Sequence, residues 1–284
     1  MQITLAPAPR RVPLSLQVVN FFNGLSQVGW LVFGFGMIFF WVFTLNADFS
    51  FATFRGSIAM ADGKVTSVES TGASVNDVNV KANHYEFSVA GQTYRGTAYS
   101  SGDEVTAGEE VTVEYDEDDP HRSRIEGMRR AIFGPAVALV NIFPLIGLVL
   151  LIPATRTAFK RNRLLREGML AQGKLIGKEP TNMTINDRRV FELQFEFTSR
   201  DGRRNIAKAR TSDTARLEDE STEPLLYDPN DPSRAYVLDE APARPELESN
   251  GDLRGRPVAA MFALIIPVFV IAVHGLVLWM KFGR

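Results

Sequence analysis

Three long uncharged blocks constrain this chain more than any other feature of its sequence. Residues 12–47 contain no charged side chain, and residues 28–43 within them are almost wholly apolar. A second block runs over residues 131–153 and a third over 257–280. A bilayer core of roughly 30 Å takes about 20 helical residues. Each block is therefore long enough for one crossing, and the second is too short to cross as a hairpin. Trp30 and Trp41 near the ends of the apolar stretch 28–43 and Trp279 at the end of the third block suit the interfacial aromatic belt. Averages of 45% hydrophobic and 23% charged residues with a net charge of −2 would pass for a soluble protein. The clustering of the apolar residues overrides that average. The sequence lacks cysteine, which excludes disulfides, thiolate metal sites, haem attachment and a cysteine nucleophile.

The blocks divide the chain. Residues 1–24 form an N-terminal tail with an interfacial helix, 25–47 the first transmembrane helix, 55–127 a β module and 131–153 the second transmembrane helix, bent by Pro135 and Pro144. Residues 155–168 read as a basic amphipathic helix on an anionic leaflet or, equally, as a helical extension of the second span, 169–239 as a second β module, 240–256 as a linker and 257–280 as the third transmembrane helix. The first apolar region is too long for a cleavable signal peptide and no small-residue cleavage motif follows it. Nine lysines and arginines flank the membrane on the side of the N-terminus against seven, Arg55 and Arg284 among them, on the other. Residues 55–130 carry 8 basic and 14 acidic side chains, whereas 156–256 carry 19 and 18. The expected orientation therefore places the N-terminus in the cytoplasm and the acidic module outside.

The two polar regions repeat one another. Ala61-Asp-Gly-Lys-Val65 recurs as Ala171-Gln-Gly-Lys-Leu175, Tyr85-Glu-Phe87 as Phe195-Glu-Phe197, and Tyr115-Asp-Glu-Asp-Asp-Pro120 as Tyr227-Asp-Pro-Asn-Asp-Pro232, at spacings of 110, 110 and 112. Apolar residues alternate with polar ones in both regions, and turn residues such as Ala90-Gly91 and Ser199-Arg-Asp-Gly202 punctuate them. The expected fold class is an α+β membrane protein, with three transmembrane helices and two small antiparallel β-barrel or sandwich modules. Closure is expected because a flat sheet leaves open edges. With spans around Gly-Lys-Val, an aromatic hairpin and Val-x-Tyr-Asp-x-x-Asp-Pro closing a β unit, the pattern resembles the bacterial membrane proteins of the domain of unknown function 3592 family, most sharply over residues 111–120 and 225–232. The resemblance implies this architecture and a place in the bacterial inner membrane, and it carries over no activity and no catalytic residue.

The chemistry on offer is sparse. Tyr115, Asp116, Asp119 and Pro120, with their counterparts Tyr227, Asp228, Asp231 and Pro232, read as a structural turn whose aspartates accept amide hydrogen bonds. The acidic run from Glu114 to Asp119 could offer oxygen ligands to Ca²⁺, but it lacks the spacing of a calcium loop. His84 and His121 have no counterparts in the second module and read as surface or turn residues. Asn141 and His274 lie within apolar blocks, where polar side chains are expensive, and read as helix-packing contacts that could bond one another. No nucleophile elbow, metal-binding helix, phosphate loop or dinucleotide-binding pattern occurs. Neither module has the positive excess that nucleic acid requires. The sequence thus points to a non-catalytic membrane protein without cofactor or metal. Its expected partners are the lipid bilayer and a protein partner or second copy, bound through modules on opposite sides. The alternative is a small transport or channel subunit with a polar path at Asn141 and His274.

Overall fold

A computed structural model describes residues 5–54, 56–102, 105–185, 187–242, 244–248 and 250–283. Arg55, the expected start of the first module, and Arg284 lie outside the described residues. The chain divides into two compact units, one of Phe35–Leu145 and one of Met1–Gly34 with Ile146–Arg284.

The helices are α1 Leu14–Phe21, α2 Leu25–Val42, the single turn α3 Ser50–Thr53, α4 Ile142–Glu167 and α5 Pro257–Phe282. Three helical stretches, Leu25–Asn46, Pro135–Glu167 and Pro257–Phe282, are long and apolar enough to cross a membrane. Leu31, Phe35, Leu145, Val149, Phe262 and Phe269 stand exposed on them, an apolar surface that lipid accommodates and water does not. The basic segment after residue 155 is not a separate helix. α4 runs unbroken through Pro153 to Glu167, and Gly168 closes it with an N–H bond to Leu164 O at 2.8 Å. Pro135 and Pro144 do not bend it from within. Pro135 opens a 3₁₀ turn, Pro135–Asn141, and Pro144 lies in the first turn of α4, where no intrahelical N–H bond is lost.

Within the unit Phe35–Leu145, strands β1 Ile58–Val75, β2 Val78–Val89, β3 Gln92–Ser101, β4 Glu110–Asp116 and β5 Asp119–Ile125 form one antiparallel sheet in the order β3-β2-β1-β4-β5. Ala90 and Gly91 take positive φ of 51° and 84°, the backbone a tight two-residue hairpin requires. Val65, Tyr85, Phe87, Ala98, Val113, Ile125 and Met128 make the core.

The other unit carries β6 Met169–Ile185, β7 Arg188–Thr198, β8 Arg204–Thr211, β9 Glu223–Asp228 and β10 Asp231–Val237, ordered β10-β9-β6-β7-β8. Strand for strand this is the same topology. Irregularities in β1 fall between Val65 and Ser67 and between Ser70 and Ser74; those in β6 fall between Leu175 and Gly177 and between Pro180 and Thr184. In both, a threonine hydroxyl then donates to a carbonyl of the next strand: Thr71 to Val80 O and Thr181 to Val190 O, each at 2.8 Å. Gly63 and Gly173 sit where a Cβ would come within 2.6 Å of Val113 Cγ2 and 2.7 Å of Leu225 Cδ2 respectively. Only glycine lets those neighbours pack so closely over the strand.

Neither sheet closes into a barrel, which corrects the expected barrel form. Closure needs a continuous ladder between the edge strands, and β5 and β10 span only 7 residues each. The first sheet curls far enough for a single pair, Tyr99 with Arg129, to exchange backbone hydrogen bonds of 2.7 and 3.0 Å. Arginines on β5 and β10, Arg122, Arg124 and Arg234, leave the edges charged, an alternative protection against edge pairing.

The second sheet is covered on both faces. Leu225 and Tyr227 face the sheet's own core with Leu193, Phe195 and Phe197. Leu226, between them, points the other way and joins Leu16 and Val19 of α1, Leu164 and Leu165 of α4, and Ala260 and Ala263 of α5. The period-2 pleat turns the run Leu225-Leu226-Tyr227 into two buried faces.

Candidate functional site

The Tyr-Asp-x-x-Asp-Pro turn is built alike in both sheets. Asp116 Oδ1 accepts the N–H of Asp118 at 3.1 Å, and Asp228 Oδ1 accepts that of Asn230 at 3.0 Å. Both aspartates are buried, so each carboxylate is held by the turn it closes. Asp119 and Asp231 pair instead with arginines three residues on, Arg122 at 3.1 Å and Arg234 at 2.9 Å. Pro120 and Pro232 follow them as the second residues of β5 and β10. Tyr115 packs its ring on Phe87 at 5.6 Å between centroids and Tyr227 packs on Phe197 at 5.3 Å. Glu114 is drawn away from the turn into a 2.6 Å ion pair with Arg124. The acidic run is therefore divided among separate partners.

The histidines are not brought together. His84 Nδ1 lies 2.9 Å from Thr97 Oγ1 and its Nε2 3.7 Å from Glu69, while the ring of His121 meets Tyr94 edge-on at 5.2 Å. The intramembrane pair finds separate partners as well. Asn141 Oδ1 accepts from Thr44 Oγ1 at 3.1 Å. His274 Nε2 lies 3.0 Å from Gly34 O, beside the contact where a Cβ on Gly34 would reach Val270 Cγ2 at 2.6 Å. A small residue on α2 thus lets α5 approach closely.

Two polar groups that the sequence conceals emerge from burial. Arg10, in the N-terminal tail, is 7% exposed. Its Nη1 donates to Leu165 O at 2.8 Å, its Nη2 to Gly168 O at 2.6 Å and its Nε to Ala6 O at 2.9 Å. A cation thus caps the last carbonyls of α4, where the helix dipole is negative. Burial lowers the Arg10 pKa from its ordinary value. No local pattern marks this contact, because its partners lie about 155 residues away in sequence.

Glu223, the first residue of β9, is 1% exposed, and neither carboxyl oxygen has a hydrogen-bond donor. Burial first, then the neighbouring carboxyl of Asp239 and the charges of Asp219 and Glu220, push it up to about 8. A protonated Glu223 can donate to Asp239, which an ionised one cannot. The 112-residue offset of the turn motif puts Glu223 level with Val111, and Gly173 pairs with Glu223 as Gly63 pairs with Val111. A carboxyl in one sheet therefore occupies the place of an isopropyl group in the other.

Residues 61–130 match the family model of the domain of unknown function DUF3592. The match covers the first sheet from the glycine-bearing part of β1 through β5 and the Arg129 bridge. No curated protein and no solved structure matches the chain.

Proposed function

We propose that this chain is a non-catalytic protein of a bacterial cell membrane, in which two copies of one β module act as interaction or scaffolding surfaces in different aqueous compartments. The observation that carries the reading is what the two sheets share. Strand order, both irregularities of the first strand, the threonine bond, the crossing glycine, the aspartate turn and the aromatic pair recur at the same offsets. His84, His121 and Glu223 do not recur. Duplication kept the groups that build the fold and left the reactive groups single. On this reading residues 169–239 extend the likeness found over 61–130 to a second copy. One apolar crossing separates the two in sequence, and the basic residues around Arg156–Arg166, with the acidic balance of residues 55–130, favour a cytoplasmic N-terminus and second module. The partner is a further membrane or soluble protein, or a second copy of this chain. A transport path is less favoured, since Asn141 and His274 are each engaged by a neighbour in their own unit.

Complementation of a deletion strain tests the absence of catalysis. The chain carrying both His84→Ala and His121→Ala should restore the wild-type phenotype. A folded, membrane-located double variant that fails to restore it would overturn the reading.

A further inference from the structure

We propose that the cleft between the C-terminal half of α4 and strand β10 binds the phosphate of an anionic phospholipid. This rests on the membrane placement of α4 argued above and not on the sidedness of the modules. The cleft is a cavity of about 320 Å³, within the range of small-ligand sites, lined by Lys160, Arg161, Arg163, Asp228, Arg234 and Tyr236 among others. Four cations and one carboxylate therefore face one space.

The pairing within the cleft leaves positive charge over. Arg163 is shared between Glu167 at 3.1 Å and Asp228 at 3.8 Å, and Arg234 is held by Asp231 at 2.9 Å. Among the described residues, no carboxylate lies within 4.0 Å of Lys160 or Arg161. Arg161 instead stands 5.2 Å over the ring of Tyr236, which holds the guanidinium plane in place, with Glu240 within electrostatic reach but outside ion-pair distance. Tyr236 is itself buried, and its hydroxyl has no hydrogen-bond partner. An oxyanion with several acceptor oxygens is what a preset guanidinium fork and an unpaired ammonium recognise.

Depth decides the source of that oxyanion. The uncharged part of α4 ends at Thr155, and Lys160 follows about 7.5 Å further along the helix axis. The headgroup layer extends about 5–8 Å beyond the hydrocarbon core, so the cleft opens at the level of lipid phosphates. Leu164, Ala235 and the ring of Tyr236 line the same cleft, an apolar wall beside the cations that suits the glycerol and acyl region below a lipid phosphate. Basic clefts at a membrane face recognise lipid headgroups by this combination.

The test uses full-length protein purified in a non-ionic, phosphate-free detergent. Short-chain phosphatidylglycerol, short-chain phosphatidylcholine and inorganic phosphate are titrated separately, with occupancy read by native mass spectrometry. Phosphatidylglycerol should bind at least about tenfold more tightly than phosphatidylcholine. The double variant Lys160→Gln with Arg161→Gln should weaken phosphatidylglycerol binding about thirtyfold, taking each cation as worth about fivefold. The control pair Arg156→Gln with Arg166→Gln removes the same charge from the same helix outside the cleft and should weaken it less than about threefold. Lys160→Gln alone, which removes no fold contact, should weaken it about fivefold, so the test stands even if the Arg161 variant unfolds. Equal losses in the two double variants, equal binding of the two lipids, or displacement of the lipid by equimolar inorganic phosphate would each overturn the site. Solubility without detergent would overturn the membrane reading as well, whereas lost headgroup selectivity in a detergent-requiring protein overturns the cleft alone.

Discussion

Replacing Glu223 with glutamine should remove a pH dependence that the wild-type fold carries in its second sheet. The folded carboxyl titrates at about 8 against an ordinary 4.5. Between those values the folded chain keeps a proton that the unfolded chain has released. Stability then falls as pH rises, by about 1.4 kcal/mol for each pH unit. From pH 5 to pH 7 the loss is on the order of 2–3 kcal/mol, or roughly 10 °C in the midpoint of a unit this small. Glu192, Asp201, Glu218 and Asp231 are held below their usual values by hydrogen bonds and cations, so their titration lies below this interval. Burial also raises Glu240, which adds a slope of the same sign to both chains and cancels in the comparison. Thermal unfolding followed by far-ultraviolet circular dichroism at pH 5 and pH 7, in one detergent, reads the difference. Glu223→Gln should show a midpoint about 10 °C above wild type at pH 7 and a much smaller gain at pH 5. Parallel midpoints for the two chains at both pH values, or a wild type that gains on the variant as pH rises, would refute the burial argument.

The tail, the crossing glycines and the membrane histidine make further predictions. Arg10→Ala strips two charged hydrogen bonds from the end of α4. It should cost about 2–4 kcal/mol and raise the rate of tryptic cleavage near residues 11–17, with unchanged cleavage contradicting the cap. Gly63→Val and Gly173→Val force a Cβ against packed side chains at 2.6 and 2.7 Å. Each should lose more than about 2 kcal/mol by thermal melting, and a stable variant would show that the strand can shift aside. His274→Leu gives up the contact to Gly34 O. The expected cost is under about 1 kcal/mol with normal folding, and liposomes holding wild-type chain should show no ion flux. A flux that His274→Leu abolishes would promote the transport alternative.

What the sequence makes legible is whatever depends on local pattern. The apolar blocks need only an absence of charge, and the Ala90-Gly91 hairpin needs only a turn pair between alternating runs. The repeat shows because its fold-building residues kept their spacing. The strands after each Asp-Pro turn are concealed, because β5 turns Arg122 and Arg124 outwards and buries only Ser123 and Ile125, too few apolar residues to read as a strand. The charge after residue 155 leaves a separate amphipathic helix and an extension of the span equally open in the sequence, and α4 takes the second. Arg10 and Glu223 read as ordinary charged residues in a tail and a loop. Their burial comes from contacts made across the fold, which no local window contains.

The central claim is that the two sheets occupy different compartments, and the absence of native cysteine makes it directly measurable. Single substitutions Ser101→Cys and Ser212→Cys, one per sheet, are exposed in intact cells to a membrane-impermeant maleimide. The account predicts that the S101C chain labels at once and that the S212C chain labels only after permeabilisation. Labelling of both chains in intact cells, or of neither, would contradict it.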